Sequence, residues 1–174
     1  MSTASVATAP QKPPLDHDTA AALRAHTRDL EHDLLAALEA QAPRLATDRL
    51  EAVSEHLDAL ETALAGIASD AAGPLLERLR VGLDRLACDL YQRDGWAHLD
   101  EAAFRRLLAR HSAGLTRVDG IGPASAEVLF QHGISDPERL LQLQAAELDE
   151  IRGLNAAVLA RLKHKCEAAG ENRA

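Results

Sequence analysis

From Asp18 onward, leucines and alanines recur at intervals of three and four residues. That spacing places side chains on one face of an α-helix. The first run carries Leu23, Leu30, Leu34 and Leu38, with Asp18 positioned as its N-cap. Pro43 predicts an end near Gln41, because proline clashes with a preceding helical turn. Two further runs, Leu50-Val53-Leu57-Leu60-Leu64-Ile67 and Leu76-Leu79-Leu83-Leu86-Leu90, alternate steps of three and four as a heptad seam does. The breaker between them, Ser69 to Pro74, is short, so the two seams are expected to fold back as an antiparallel pair. Arg93-Asp94-Gly95 ends the third run. Asp100 then caps a fourth helix bearing Ala103, Leu107 and Leu108, with Leu99 and Phe104 spaced as a hydrophobic staple. That helix is expected to end near Ser112-Ala113-Gly114.

Beyond this point the apolar spacing comes in shorter pieces. Leu115 to Leu129 reads LTRVDGIGPASAEVL, which sets Gly120-Ile121-Gly122 in a tight connection between two short helical segments. Glycine accepts positive φ and allows close approach of a ligand, and Pro123 suits the first position of a helix. The helix start therefore offers bare amides, a ready site for phosphate. Ala126, Val128 and Leu129 form an apolar face, and Gly133 suits a left-handed stop after it. Ser135 and Glu138 have capping-box spacing around Pro137, and Leu140, Leu141, Leu143 and Leu148 continue the apolar positions. A second turn, Ile151-Arg152-Gly153-Leu154-Asn155, precedes helix-like AAVLARLKHK. Asn155 stands where the first turn has glycine, and asparagine tolerates the left-handed region better than most residues.

From about Leu115 to about Lys165 this arrangement resembles a tandem helix-hairpin-helix domain: two hairpin motifs joined by a linking helix. The resemblance implies that hairpin amides hold the sugar-phosphate backbone of DNA without reading its sequence. Carried onto this chain, the implied contacts are the amides of Gly120, Ile121, Gly122 and Ser125, with Gly153 and Asn155 as weaker equivalents. Pro123-Ala124-Ser125 lacks the basic residue that DNA-binding members often carry. A purely packing role for both hairpins stands beside the DNA role.

Charge changes the picture. The chain has a formal net charge of -8, which weighs against a general nucleic-acid binder. Its last 62 residues hold seven Lys and Arg against nine Asp and Glu. The cations are uneven: Arg161, Lys163 and Lys165 cluster on the last helix, near Arg152. If they share a face with the first hairpin, a local positive patch exists despite the total. The competing reading makes Lys163 and Lys165 last-turn cations that complement the helix dipole.

The fold class expected is all-α: an N-terminal antiparallel helical bundle or coiled-coil hairpin, then the compact tandem domain. Residues 1–17, rich in Ala, Ser, Thr and Pro, read as a flexible tail without a signal-like apolar stretch. Residues 18–112 read as the bundle, a region for oligomerisation, residues 113–168 as the hairpin domain, and 169–174 as a second flexible tail. Aromatics are only 2% of the chain, so Leu and Ala must fill the core. The heptad seams serve either an intramolecular bundle or a surface for self-association as a homodimer, and the two uses are compatible. No apolar run spans a membrane, and a cytoplasmic location is expected. Cys88 and Cys166 stand alone, which argues against zinc sites or disulfides.

No catalytic, metal or cofactor site is expected. Glu31-His32-Asp33 and Glu55-His56 lack the Glu-x-x-His spacing of di-iron bundles. His17, His26, His98, His111, His132 and His164 are scattered, with surface or local hydrogen-bonding roles. No nucleophile-elbow or Walker-type motif is present. The expected function is a non-enzymatic accessory protein that binds DNA backbone and assembles through its bundle. A protein-interaction adaptor is the alternative, and a DNA-processing nuclease a remote third.

Overall fold

The computed structural model describes residues 16–65 and 72–171. Among them it is all-helical: α1 (His17–Glu39), α2 (Pro43–Ala65), α3 (Ala72–Gln92), α4 (Glu101–Ser112), a 3-10 turn (Ala113–Arg117), α5 (Pro123–Gln131), α6 (Pro137–Leu141), α7 (Ala145–Asp149) and α8 (Ala156–Glu171). None of these helices is long and apolar enough to cross a membrane.

Local chemistry sets the boundaries, in several places differently from the expectation. Asp16, not Asp18, caps α1, accepting the Thr19 N–H at 2.8 Å. A carboxylate three residues ahead of an orphan amide satisfies it, and Thr19 Oγ1 adds a second bond at 2.6 Å. Pro43 opens α2 rather than only closing α1. Of the expected breaker at Ser69 to Pro74, the part from Ala72 onward belongs to α3. Ser69 to Ala71, like Ile67 of the second seam, lie outside the described residues. Gly73 and Pro74 already belong to the first turn of α3, where proline forfeits no hydrogen bond. Asp100 caps α4 as expected, accepting the Ala103 N–H at 2.7 Å. Residues 169–171 of the expected C-terminal tail belong to α8, which continues to Glu171. Residues 1–15 and 172–174 also lie outside the described residues.

Helices α1 to α4 bury the seams against one another. Leu50, Val53, Leu57 and Leu60 of α2 meet Leu83, Ala87 and Leu90 of α3 and Leu107 and Leu108 of α4 in one core. Ala46 and Ala87 let neighbouring helices approach closely. Burying each leucine contributes roughly 1.5–3 kcal/mol, so α2, with four buried seam positions, is the central element. α1 is bound on one side only: Leu30 is buried, whereas Leu35 and Leu38 are about half exposed.

A second core holds the C-terminal part: Leu115, Val118, Ile121, Ala126, Leu129, Leu140, Leu148, Ile151, Val158 and Leu162. The two cores are joined rather than tethered. Phe130 of α5 is buried in the bundle core, beside Trp96, Tyr91 and Phe104, so all four Phe, Trp and Tyr residues meet at this junction. Cys88 Sγ donates to the Phe130 carbonyl at 3.4 Å and Gln92 Nε2 to the Gln131 carbonyl at 2.9 Å. Arg85 of α3 grips the Asp136 carboxylate with two hydrogen bonds, of 2.8 and 3.2 Å, and reaches Glu138 at 2.9 Å.

Candidate nucleic-acid interface

The first hairpin turns between the 3-10 helix and α5. Gly120 takes φ 89, a conformation that costs an L-residue about 1–2 kcal/mol. Ile121 points inward and is buried. Its N–H donates to the Val118 carbonyl at 3.0 Å. Ile121 is therefore an anchor, and the expected phosphate contact through its amide is corrected: that donor is already used inside the turn. Gly122 is the N-cap of α5 in extended geometry, φ -89 and ψ 170, with Pro123 following. The described hydrogen bonds leave the amides of Gly120, Gly122, Ala124 and Ser125 without a protein acceptor. A Cβ at Gly122 would meet nothing within 4 Å, and its φ suits any residue. Nothing in the fold requires glycine there, and the bare N-cap leaves the helix start open to close approach.

The end of α5 is closed by the predicted glycine. Gly133 has φ 87, its N–H reaches the Phe130 carbonyl at 2.9 Å, and the Ile134 N–H reaches Leu129 at 3.1 Å. These two bonds form a Schellman motif. Asp136, not Ser135, caps the following helix, accepting the Arg139 N–H at 3.0 Å. Ser135 is buried and donates to Asp136 at 3.0 Å, while Glu138 turns to Arg85. The capping box expected from Ser135 and Glu138 is thus replaced. Burial alone works against the Asp136 carboxylate, but the bonds from Arg85, the Arg139 amide and Ser135 outweigh it and hold its pKa below the ordinary value. The linking segment is two short helices, α6 and α7, not one.

The second hairpin repeats the first with one change. Gly153 takes φ 98, matching Gly120. Asn155 matches Gly122, and the left-handed conformation considered for it is not adopted: Asp94 is the one non-glycine residue with positive φ among the described residues. Instead Asn155 caps α8, its Oδ1 accepting the Val158 N–H at 2.8 Å while its carbonyl takes the Leu159 N–H at 3.0 Å. Asparagine three residues ahead of a helical amide is a readable N-cap signal.

The cations divide between the two faces. Arg161 of α8 lies over the first hairpin: a Cβ on Gly120 would sit 3.0 Å from its Nη1. Lys165, one turn on, pairs with Asp119 of that hairpin at 3.5 Å. Lys163 turns away and pairs with Asp149 of α7 at 2.6 Å. Neither lysine serves as a last-turn cation, since α8 runs on to Glu171 and has no basic residue in its last turn. Arg152 is held through its backbone, its N–H donating to His132 Nε2 at 3.3 Å. His132 Nδ1 meets the Val128 carbonyl at 2.9 Å, which assigns the ring proton to Nδ1.

Residues 112–167 match the family model of the SAM-like helix-hairpin-helix tandem. The C-terminal part of this chain is a tandem helix-hairpin-helix domain. Domains of this kind serve nucleic-acid binding or protein interaction. Comparisons with curated proteins and with solved structures give no match. Within the tandem domain, sequence reasoning placed Gly120, Gly122 and Ser125 together and foresaw a cationic neighbour. Arg161, Lys163 and Lys165 stand together in the sequence; which of them meets the first hairpin (Arg161 and Lys165) and which does not (Lys163) depends on how α8 packs on the 118–122 turn. Sequence reasoning missed the buried pair outside the domain, His111 Nδ1 to Asp84 Oδ1 at 2.8 Å. Burial raises the Asp84 carboxyl above its ordinary pKa, with the His111 bond opposing. Among the described residues no group of His, Cys, Asp and Glu is arranged to hold a metal ion.

Proposed function

We propose that this chain is a non-enzymatic accessory protein whose first hairpin binds the DNA backbone without sequence specificity, and whose helical bundle mediates assembly. The carrying observation is Gly122: its φ is ordinary, its missing side chain leaves open space, and the amides of Gly122, Ala124 and Ser125 have no protein acceptor. Together with Arg161 beside Gly120, these donors suit one phosphate, and charge-assisted hydrogen bonds give it most of its hold. A net charge of -8 keeps the affinity modest, and the phosphate that Arg161 neutralises makes it fall as salt is added.

The test is a low-salt titration of the full chain with duplex and single-stranded DNA, alongside Gly122→Asp. Aspartate at an N-cap preserves the helix but sets a carboxylate where phosphate would sit. Binding that falls with salt and is lost in this variant supports the reading. Absence of binding in the parent chain, or unchanged binding in the variant, overturns it.

An adaptor role draws on a different surface. Leu30, Leu34, Leu38, Leu79 and Leu86 line an apolar groove of about 240 Å³ between α1 and α3. Leu35 and Leu75 are exposed on the same two helices. Exposed apolar surface of this kind marks association, either of two copies through the bundle or with a partner helix. Mass measurement in solution, with Leu38→Glu as control, separates these outcomes.

A further inference from the structure

We propose that Asn155 closes the second hairpin to phosphate, so that each chain holds one stretch of sugar-phosphate backbone, through the first hairpin alone. This rests on the DNA-binding reading above and narrows it. The two hairpins have the same frame: a left-handed glycine (Gly120, Gly153), then an N-cap whose carbonyl accepts the helix's first bond (Gly122 from Ala126, Asn155 from Leu159). They differ in what meets the third helical amide. At the first hairpin, Ser125 N–H is open because Gly122 has no side chain. At the second, the matching amide of Val158 is taken by Asn155 Oδ1 at 2.8 Å. A phosphate oxygen seeking that donor must displace an intramolecular bond already in good geometry.

Two independent features agree. The anions Glu147, Asp149 and Glu150 directly precede the second hairpin and are exposed; on that side Lys163 is spent on Asp149, which leaves Arg152 as the exposed cation of the hairpin. The second hairpin is also occupied structurally. Gly153 lies flush against α5, where a Cβ would be 3.4 Å from Val128 Cγ1, and the Arg152 N–H is bonded to His132 at the end of α5. Arg161, carried on the helix that the second hairpin starts, reaches over Gly120. The second motif thus acts as a brace that delivers a cation to the first.

The test uses the full chain labelled for amide NMR and titrated with a short duplex at low salt, together with Asn155→Asp and Gly122→Asn. Aspartate and asparagine are both good N-caps, so each variant keeps its helix. The Gly122 and Ser125 amides are expected to shift and that of Val158 to stay. Asn155→Asp should leave Kd within about threefold of the parent, the size expected of one remote surface charge. Gly122→Asn copies the second hairpin's cap into the first and should weaken binding by about tenfold or more, the worth of a charge-assisted bond. Val158 and Gly153 shifting as far as Ser125, or Asn155→Asp weakening binding as much as Gly122→Asp does, overturns the one-hairpin assignment while leaving DNA binding intact. A parent chain that fails to bind overturns both.

Discussion

Phe130 of the tandem domain lies against Trp96 of the bundle, ring centroids 5.6 Å apart and planes inclined by 31°. Phe130 is fully buried, and Trp96 nearly so. One helix, α5, therefore serves both halves: its N-terminus forms the first hairpin and its C-terminal end plugs the bundle. The hairpin is held rigidly to the bundle rather than presented on a tether.

Phe130→Ala removes this plug. A large-to-small change at a fully buried aromatic costs about 3–5 kcal/mol. The expected result is a large drop in thermal midpoint, with both halves melting in one transition in the parent chain and separating in the variant. Circular dichroism and calorimetry on the same sample check this; two independent transitions already in the parent would show that the halves are not coupled.

Acid stability reports the Arg85–Asp136 contact. The Asp136 carboxyl has a folded pKa below its unfolded value near 3.8. Its contribution is complete above that value and is lost as pH falls through the depressed one, in the region below about pH 4. Arg85→Met leaves Asp136 buried with fewer donors, so burial wins and the carboxyl titrates at higher pH. The acid-unfolding midpoint should rise, with a loss of about 1–2 kcal/mol at neutral pH for a pair whose arginine is part-exposed. Asp84 works in the opposite sense, since its folded pKa is raised, but it is common to both proteins and drops out of the comparison.

The two glycines of the first hairpin should separate in a stability assay. Gly120→Ala forces an L-residue into φ 89 against Arg161 and should cost about 1–2 kcal/mol. Gly122→Asn should gain a few tenths of a kcal/mol or more, because asparagine caps better than glycine. Equal losses in denaturant unfolding would contradict the assigned backbone roles.

Charge at the hairpin tip gives a gain-of-function test. Asp119 is 95% exposed and holds Lys165 at 3.5 Å. If the first hairpin binds DNA as proposed, Asp119→Asn removes an anion from that turn and frees a cation, so affinity should rise about three- to tenfold at low salt, with a steeper salt slope. Arg161→Ala should move both quantities the other way. Fluorescence anisotropy across a salt series measures them.

Much of this architecture can be read along the chain. Leucines at steps of three and four name the helices, Asp100 and Gly133 mark where two of them start and stop, and Gly120-Ile121-Gly122-Pro123 declares a turn with open amides. These are local effects, set by residues within a helical turn of one another. Asn155 is legible too, as a cap rather than as a left-handed residue, because the Val158 amide lies three positions on. What spacing alone could not supply was which distant groups meet: Arg161 over Gly120, Lys163 turned to Asp149, His111 buried on Asp84, Phe130 seated in the other core. Those pairings depend on how helices cross and rotate about their axes, which is settled when the leucine faces find their common packing, and a one-dimensional period carries the face of each helix but not its neighbour.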